Sequence, residues 1–342
     1  MVKTNLKLSC VLVILLLCFF GSLLAQDLQQ QYNDKLRQAK EINVKMNQQG
    51  ISKEDYDKLL KQYEALTAEL NSIKQKLNAD VELTERLNNA KRAYNDGNTL
   101  YKKGQFDEAL AAYDKAINLD SNYAKAFYGK GLTYVKQRKY AEAVEFFGKA
   151  VEIDPSYFRA YSAMGSAFKS MKDYNKSVEA YQKAIEIDQK GYSTMYNLAL
   201  VYVGMKDYAN AIKYFRMATQ VKPDYYKAFT LLGETFMNSG DADQAVMALE
   251  NALAIKPNYD RANFQLSAIY NKMQKYEEAL KAAEDCLKKP GRYKGGANFE
   301  AGIASKQLGN VAKAKTYFEA AVRDSRWRKN AQYELDLINK GK

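Results

Sequence analysis

The chain has 342 residues and carries 52 Lys and Arg against 40 Asp and Glu, a net charge of +12 at neutral pH. It contains no histidine, so the commonest general base and the commonest metal ligand are both missing. The sequence also has no glycine-rich loop of the phosphate-binding kind. These features argue against an enzyme, and they predict neither a cofactor nor a metal site.

The first 25 residues have the composition of a secretory signal peptide. A positively charged start is followed by an uncharged apolar run from Cys10 to Phe20, and Ala25 offers a cleavage site before Gln26. We therefore expect export to the periplasm or outside the cell. An uncleaved segment that anchors the chain in the inner membrane remains the alternative, because the apolar stretch is just long enough to span a bilayer.

Residues 26–89 predict helices that lie outside any repeat. In the second half of this segment, apolar residues alternate spacings of four and three, which is typical of a coiled-coil seam. The seam residues are Leu59, Tyr63, Leu66, Leu70, Ile73 and Leu77. Gly50 can end a first helix, and Ser52 with Asp55 resembles the N-cap of a second one. The segment, which we call the stem, fits either an antiparallel hairpin within one chain, which we favour, or self-association of chains through residues 28–88.

A 34-residue period follows the stem and runs through most of the chain. One column of this period holds small residues, a second holds mostly alanine, and a third holds bulky apolar residues. The columns are Gly97, Gly131, Gly165, Ala199, Gly233 and Ser267; Ala109, Ala143, Ser177, Ala211, Ala245 and Ala279; and Tyr113, Phe147, Tyr181, Phe215, Leu249 and Ala283. Each period divides into two apolar-periodic stretches of helical length. Self-similarity at a fixed period of this kind indicates a solenoid.

The columns resemble those of the tetratricopeptide repeat (TPR), as one unit illustrates with Gly131, Tyr134, Ala143, Phe147 and Pro155. The resemblance implies an all-α, right-handed solenoid of about seven helix–turn–helix repeats. Six units keep the register, and a seventh returns one residue late. The predicted repeats are 90–123, 124–157, 158–191, 192–225, 226–259, 260–293 and 295–328. We expect the extra residue to lengthen a loop over 288–296 and residues 329–342 to form a capping helix.

In the TPR family, the first helices of successive repeats line a concave groove that holds extended peptides or partner helices. Residues three and seven positions apart on these helices share a face, and this face alternates cations with aromatic side chains. The predicted residues of this groove face are Lys91, Tyr94, Asn98, Lys125, Tyr128, Arg159, Tyr196, Lys227, Arg261 and Phe264, and the same projection includes Ser166, Glu234 and Ala268. Such a ladder suits an acidic peptide with apolar anchors. The alternative interpretation is that abundant tyrosines and lysines serve packing and solubility alone.

The sequence therefore predicts a non-catalytic interaction or scaffold protein of the bacterial periplasm or cell envelope, with a protein or peptide as its partner. Because positive and negative charges are interleaved along the chain, nucleic acid is not an expected partner. Membrane contact is expected only if the N-terminal apolar segment is retained. Two alternatives remain open: an assembly component that oligomerises through its stem, and an accessory protein that binds envelope polysaccharide.

Overall fold

The computed structural model describes residues 23–288 and 291–340, and the regular secondary structure of these residues is α-helical throughout. Most of the predicted signal peptide lies outside the described residues. Within the two described ranges, no helix combines the length and the apolar character that a membrane span requires. The chain divides into two compact units, Met1–Thr133 and Tyr134–Lys342, and we describe each unit by itself.

The first unit opens with a helical hairpin. Helices α1 (Leu23–Met46) and α2 (Lys53–Lys103) pack against each other, joined by a short turn in which Gly50 has a φ of +90°. The predicted N-cap is confirmed, because the Ser52 hydroxyl accepts a hydrogen bond of 3.1 Å from the backbone amide of Asp55. The structure contains the hairpin within one chain, and self-association through residues 28–88 stays a prediction.

Helix α2 serves both the stem and the first repeat. Its first part buries the seam residues Leu70 and Leu77, and its last part buries Gly97. The helix is continuous across residues 89 and 90, between which the sequence analysis placed the start of the repeats, and it ends at Gly104 in the left-handed conformation. The stem therefore passes into the first repeat without a loop.

The first unit is completed by α3 (Phe106–Leu119) and the beginning of α4 (Ala124–Lys136). Tyr113 of α3 is only 1% exposed, and its ring fills space that two glycines leave open. A Cβ atom on either Gly97 or Gly129 would lie 2.7 Å from this ring. Close helix packing thus explains why residues without a side chain occupy these two positions.

The second unit continues with helices that each pack against the next one along the chain. They are α5 (Tyr140–Ile153), α6 (Phe158–Ser170), α7 (Tyr174–Ile187), α8 (Tyr192–Gly204), α9 (Tyr208–Val221), α10 (Tyr226–Ser239), α11 (Ala242–Ile255), α12 (Asp260–Lys272), α13 (Tyr276–Leu287), α14 (Lys294–Gln307), α15 (Val311–Val322) and α16 (Arg328–Asn339). Helices in consecutive packed pairs confirm the all-α TPR solenoid fold.

The bulky column of the period supplies a large buried side chain to most helix pairs in this unit, and Ala283 occupies the column in the sixth repeat. The side chains at these positions are fully buried, namely Phe147, Tyr181, Phe215, Leu249 and Phe318. Burial of one such side chain contributes roughly 1.5–3 kcal/mol to stability. The period in the sequence therefore marks buried core positions, which recur every 34 residues.

Cys286 belongs to this core and has no chemical role that we can assign. Its side chain is 2% exposed, and its thiol donates a 3.3 Å hydrogen bond to the carbonyl oxygen of Asp260. Burial raises the pKa of this thiol to about 12. The group therefore stays protonated at neutral pH, and it packs where other repeats carry alanine.

The start of the seventh repeat differs from the predicted loop. Helix α14 begins at Lys294, so Gly295 and Gly296, which we expected in a longer loop, lie in the helix and are buried. A Cβ atom on Gly296 would come within 2.5 Å of the Phe264 ring, and one on Gly295 would overlap the Asp324 side chain. The two glycines thus permit close packing rather than chain flexibility. The capping segment forms α16, which packs on α15.

Candidate functional site

In the first unit, the predicted groove residues lie on α2 and α4. The two lysines, Lys91 and Lys125, are exposed, whereas Tyr94, Asn98 and Tyr128 are half-buried. Flexible cations thus stand beside less mobile polar and aromatic side chains. This is the combination that the period predicts for the groove face.

The half-buried residues of the first unit are fixed by their neighbours. The ring of Tyr94 packs against the ring of Tyr123 with 5.3 Å between centroids, and against Tyr113 with 6.0 Å. The hydroxyl of Tyr113 donates a 2.8 Å hydrogen bond to Oδ1 of Asn98. The buried Tyr113 therefore orients the side chain of Asn98, a predicted residue of the groove face.

In the second unit, the groove face begins with the exposed Arg159 of α6 and includes the exposed Lys227 of α10. Tyr196 of α8 is half-buried between two other rings. Its centroid lies 5.1 Å from that of Tyr225 and 5.7 Å from that of Phe215. As in the first unit, the cations are exposed and the aromatic ring is held by its neighbours.

The aromatic pairing recurs along the second unit. Phe264 stacks on Tyr293 with 5.5 Å between centroids, and Phe299 packs on Trp327 with 5.0 Å. In each case an aromatic residue of a first helix meets one at the end of the same repeat, as Tyr94 meets Tyr123. The sequence analysis missed these pairs, although a tyrosine recurs at the end of most periods and would have indicated them. Edge-to-face and offset contacts of this kind add roughly 0.5–1.5 kcal/mol each.

Arg261, a predicted cation of the groove face, forms an ion pair with another predicted residue of this face. Its Nε lies 2.6 Å from Oε1 of Glu234 and its Nη2 lies 2.8 Å from Oε2, a two-point arrangement. The side-chain amide of Gln265 also donates to Glu234. The charge of Arg261 is thus neutralised within the protein, unlike that of Lys227 in the same column.

A pocket of about 330 Å³ lies between α10 and α12 beside this ion pair. It is lined by Glu234, Met237, Asn238, Leu249, Phe264, Gln265, Ala268, Ile269 and Lys272. Oε1 of Gln265 is buried and has no hydrogen-bond partner among the residues described. Sequence analysis included Glu234, Phe264 and Ala268 in the face. It could not reveal a pocket, because Leu249 and Ile269 read simply as core residues.

Two lysines outside the predicted face are held between tyrosine rings. Nζ of Lys222 lies 4.6 Å from the ring centre of Tyr192 and 5.9 Å from that of Tyr225. The same arrangement recurs 34 residues later around Lys256. Contacts between a cation and an aromatic face are worth about 0.5–1 kcal/mol at exposed sites. These lysines therefore strengthen the junctions between repeats and are less available to a partner.

Two ionisable groups of the first helices sit in poorly hydrated positions. Burial raises the pKa of Glu300 on α14, against the opposing effects of a hydrogen bond from Asn271 and the charge of Lys272. Burial also lowers the pKa of Lys169 on α6. Both shifts follow from the cost of removing charge from water.

Comparison with known proteins identifies the repeat family. Sequence profiles described as TPR repeat or tetratricopeptide repeat match residues 97–138, 124–157, 156–224, 236–289 and 296–323. No curated protein matches the chain. The profile matches cover both described units.

Solved structures of TPR proteins are similar to this chain. The structure of MamA is 28% identical and covers 47% of this chain and 94% of its own, with a TM-score of 0.45. PilF of Pseudomonas aeruginosa is 21% identical, with coverages of 62% and 97% and a TM-score of 0.52. The C-terminal part of a TPR repeat-containing protein from Cytophaga hutchinsonii is 15% identical, with coverages of 71% and 99% and a TM-score of 0.61. The last two similarities support the fold alone.

TPR proteins are in general non-catalytic modules that bind protein or peptide partners. In this chain, the profile matches fall within 90–328, the range of the sequence period, and one of them coincides with the predicted repeat 124–157. The chain belongs to the tetratricopeptide-repeat family.

Proposed function

We propose that this chain is an exported, non-catalytic scaffold protein that binds an acidic peptide or partner helix through its groove face. The observation that carries the proposal is the presence of exposed cations beside aromatic rings that are already fixed. Lys91 lies one turn from Tyr94, and Lys125 lies one turn from Tyr128. A partner with carboxylates and apolar side chains would match both elements.

The charge of these cations is not used within the protein. Neither Lys91, Lys125 nor Lys227 forms an ion pair with any described residue. One exposed ion pair is worth only about 0.2–1 kcal/mol, so a partner would need several carboxylates spaced along the face. The net charge is +12, and it is +10 once Lys3 and Lys7 are removed with residues 1–25. This excess favours encounter with an acidic partner before contact is made.

The fixed aromatic rings reduce the cost of binding. A side chain that is already ordered loses little conformational entropy when a partner arrives, whereas a mobile one costs roughly 0.5–1.5 kcal/mol to immobilise. Tyr94 and Tyr196 are both ordered by ring contacts in the free protein. The ordered rings can therefore contribute binding energy through shape complementarity, and the flexible lysines contribute through electrostatic attraction.

Affinity capture from a bacterial envelope extract tests this function. The bait is the protein lacking residues 1–25, in parental form and as the double variant Lys91→Glu, Lys125→Glu. The matched control is Lys115→Glu, Lys213→Glu, which changes exposed lysines of second helices by the same total charge. We expect an acidic protein that the parent and the control capture and the groove variant loses. Equal capture by all three baits would refute the proposal.

The proposed export has its own test. The full chain is expressed in a Gram-negative host, and its intact mass is measured in the periplasmic and membrane fractions. We expect a periplasmic protein that has lost residues 1–25. A full-length protein in the inner membrane would instead support the retained anchor that the sequence leaves open.

The alternative function, assembly through the stem, receives less support from the hairpin. The seam residues Leu70, Ile73 and Leu77 are buried within one chain, so a second chain cannot use them without opening the hairpin. Light scattering of the protein lacking residues 1–25 tests this point. We expect the mass of a monomer, and a stable dimer or larger assembly would favour the structural alternative.

A further inference from the structure

We infer that the pocket between α10 and α12 is a subsite that holds one apolar side chain of the partner, with an acidic residue of the partner next to it at Lys272. The inference rests on the proposed function, because it states what one part of the groove face recognises. It is specific to this pocket and does not require that other repeats bind in the same way.

The apolar part of the pocket has a buried floor and adaptable walls. Leu249 is fully buried and Ile269 is 3% exposed, while Met237 and Phe264 are half-buried at the sides. A methionine wall can adjust to different apolar shapes. The volume of about 330 Å³ lies at the lower end of the range for ligand sites. It suits one side chain of a peptide better than a large cofactor.

The charged groups of the pocket wall exclude a charged anchor. Both carboxylate oxygens of Glu234 accept hydrogen bonds from Arg261, and Gln265 donates to the same carboxylate. A lysine of the partner that entered the pocket would find the Glu234 carboxylate already paired, and a glutamate would find its counter-charge, Lys272, only at the exposed edge. Burying such an uncompensated charge is costly, so the pocket selects an uncharged, apolar side chain.

One polar atom in the wall lacks a partner that a bound peptide could supply. The amide nitrogen of Gln265 is committed to Glu234, which leaves its Oε1 as a buried acceptor without a donor among the described residues. Unsatisfied buried acceptors are rare and costly in folded proteins. Because the atom is itself buried, a rotation of the Gln265 side chain would have to accompany binding for a backbone N–H of an extended peptide to satisfy it.

Lys272 accounts for the acidic neighbour. Its side chain is exposed at the edge of the pocket and forms no ion pair within the described ranges. Its charge acts on Glu300 of the next first helix, but burial outweighs this effect and keeps the pKa of Glu300 raised. A carboxylate of the partner that stays in solvent at the pocket edge can therefore pair with Lys272.

Synthetic peptides of the form Gly-Ser-Asp-Glu-X-Asp-Glu-Ser-Gly, with X as Leu, Phe, Ala or Lys, test the inference. Trp327 is the single tryptophan of the chain, and its ring lies 6.0 Å from that of the pocket residue Phe264. Its fluorescence reports whether the pocket is occupied, and anisotropy of labelled peptides reports total binding. We expect Leu and Phe peptides to bind at least about tenfold more tightly than Ala and Lys peptides, because only the larger apolar side chains fill the pocket.

Two variants and a control assign this preference to the pocket. Ala268→Phe fills the pocket, and Ser166→Phe places the same side chain in the same column of the third repeat, away from it. We expect Ala268→Phe to erase the preference for apolar X and the Trp327 response, and Ser166→Phe to keep both. Lys272→Glu, an exposed change that leaves the core intact, should weaken the acidic peptides several-fold but not versions with Asn and Gln in place of Asp and Glu.

The outcomes separate this inference from the broader function. Peptide binding without dependence on X, unchanged in Ala268→Phe, would overturn the pocket subsite and leave the acidic groove face in place. Binding of none of the peptides by the parent would also overturn the subsite. The broader function is judged separately by the capture experiment with the Lys91 and Lys125 variant.

Discussion

The groove face of the first and second repeats differs from that of the fifth and sixth in how it uses its cations. Lys91 and Lys125 in the first unit are exposed and unpaired among the residues described. Arg261, in the same column of the sixth repeat, is locked to Glu234 by two hydrogen bonds. The comparison teaches that a repeat column fixes where a side chain lies but not whether its charge is available. That depends on which residue the neighbouring repeat presents to it.

The largest expected effect tests how the first unit holds its face in place. Tyr113→Ala should lower the free energy of unfolding by roughly 3–5 kcal/mol, because it removes a fully buried ring. Tyr113→Phe keeps the ring and removes only the hydrogen bond to Asn98, so it should cost about 1 kcal/mol. Urea titration followed by circular dichroism measures both. An equal decrease in the free energy of unfolding for the two variants would mean that the hydroxyl's hydrogen bond, rather than burial of the ring, accounts for the stabilisation.

The second effect tests the neutralised pair of the fifth and sixth repeats. Glu234→Ala should destabilise the protein by about 1–2 kcal/mol, because it leaves the half-buried Arg261 guanidinium without its partner. The value is reduced from that of a buried pair because the side chains are 34% and 26% exposed. Lys227→Ala, in the column of Arg261, is the control and should change stability by less than about 0.5 kcal/mol. If thermal unfolding shows the same stability for both variants, the ion pair between Arg261 and Glu234 does not stabilise the folded protein.

Ionic strength separates the two kinds of face. Attraction between the exposed lysines and an acidic peptide is screened by salt, so the affinity of the peptide with X as Ala should fall several-fold from low to high ionic strength. The ratio of affinities between the Leu and Ala peptides should stay nearly constant, because an apolar contact is little affected by screening. A ratio that collapses with salt would show that the pocket preference is itself electrostatic.

The smallest effect concerns the raised pKa of Glu300. A glutamate has an ordinary pKa of 4.5, and burial raises the folded-state pKa above this value. Between the two pKa values the folded chain binds more protons than the unfolded chain. The stability contributed by the protonated form is therefore complete below pH 4.5 and is lost as the pH rises through the folded-state pKa.

Glu300→Gln should consequently have a higher melting temperature than the parent at neutral pH, and the difference should shrink towards zero as the pH falls to 4.5. The amide can still accept the hydrogen bond from Asn271. Thermal melts over a pH series measure this. A variant that is less stable than the parent at neutral pH would show that the Glu300 charge is compensated in the folded protein.

The period of the sequence was sufficient to predict the fold, because packing alone determines its columns. Phe147, Tyr181 and Phe215 are buried as the bulky column requires. The exception is the start of the seventh repeat, where Gly295 and Gly296 looked like a loop and lie in a helix. Glycine is required at these positions because the helix packs closely against Asp324 and Phe264. These two residues are distant in sequence, so no local pattern could predict the contact.

The groove face stays a prediction, and the contacts among its residues could not be predicted from the sequence. The pairing of Arg261 with Glu234 joins residues of two repeats, and the stacking of Phe264 on Tyr293 joins the two ends of one. Neither contact can be predicted from the sequence of a single helix, because each joins residues far apart in the chain. Replacing Tyr94 or Phe264 by alanine would therefore disturb packing as well as binding. Exposed lysines are better targets for separating the two.

Hydrogen–deuterium exchange, with and without the acidic Leu peptide, tests the central claim most directly. The claim is that the first helices of the repeats bind the partner. We predict slower exchange in residues 226–239 and 260–272, the two first helices that form the pocket. Protection confined to the second helices, or to the stem at residues 26–89, would contradict the account.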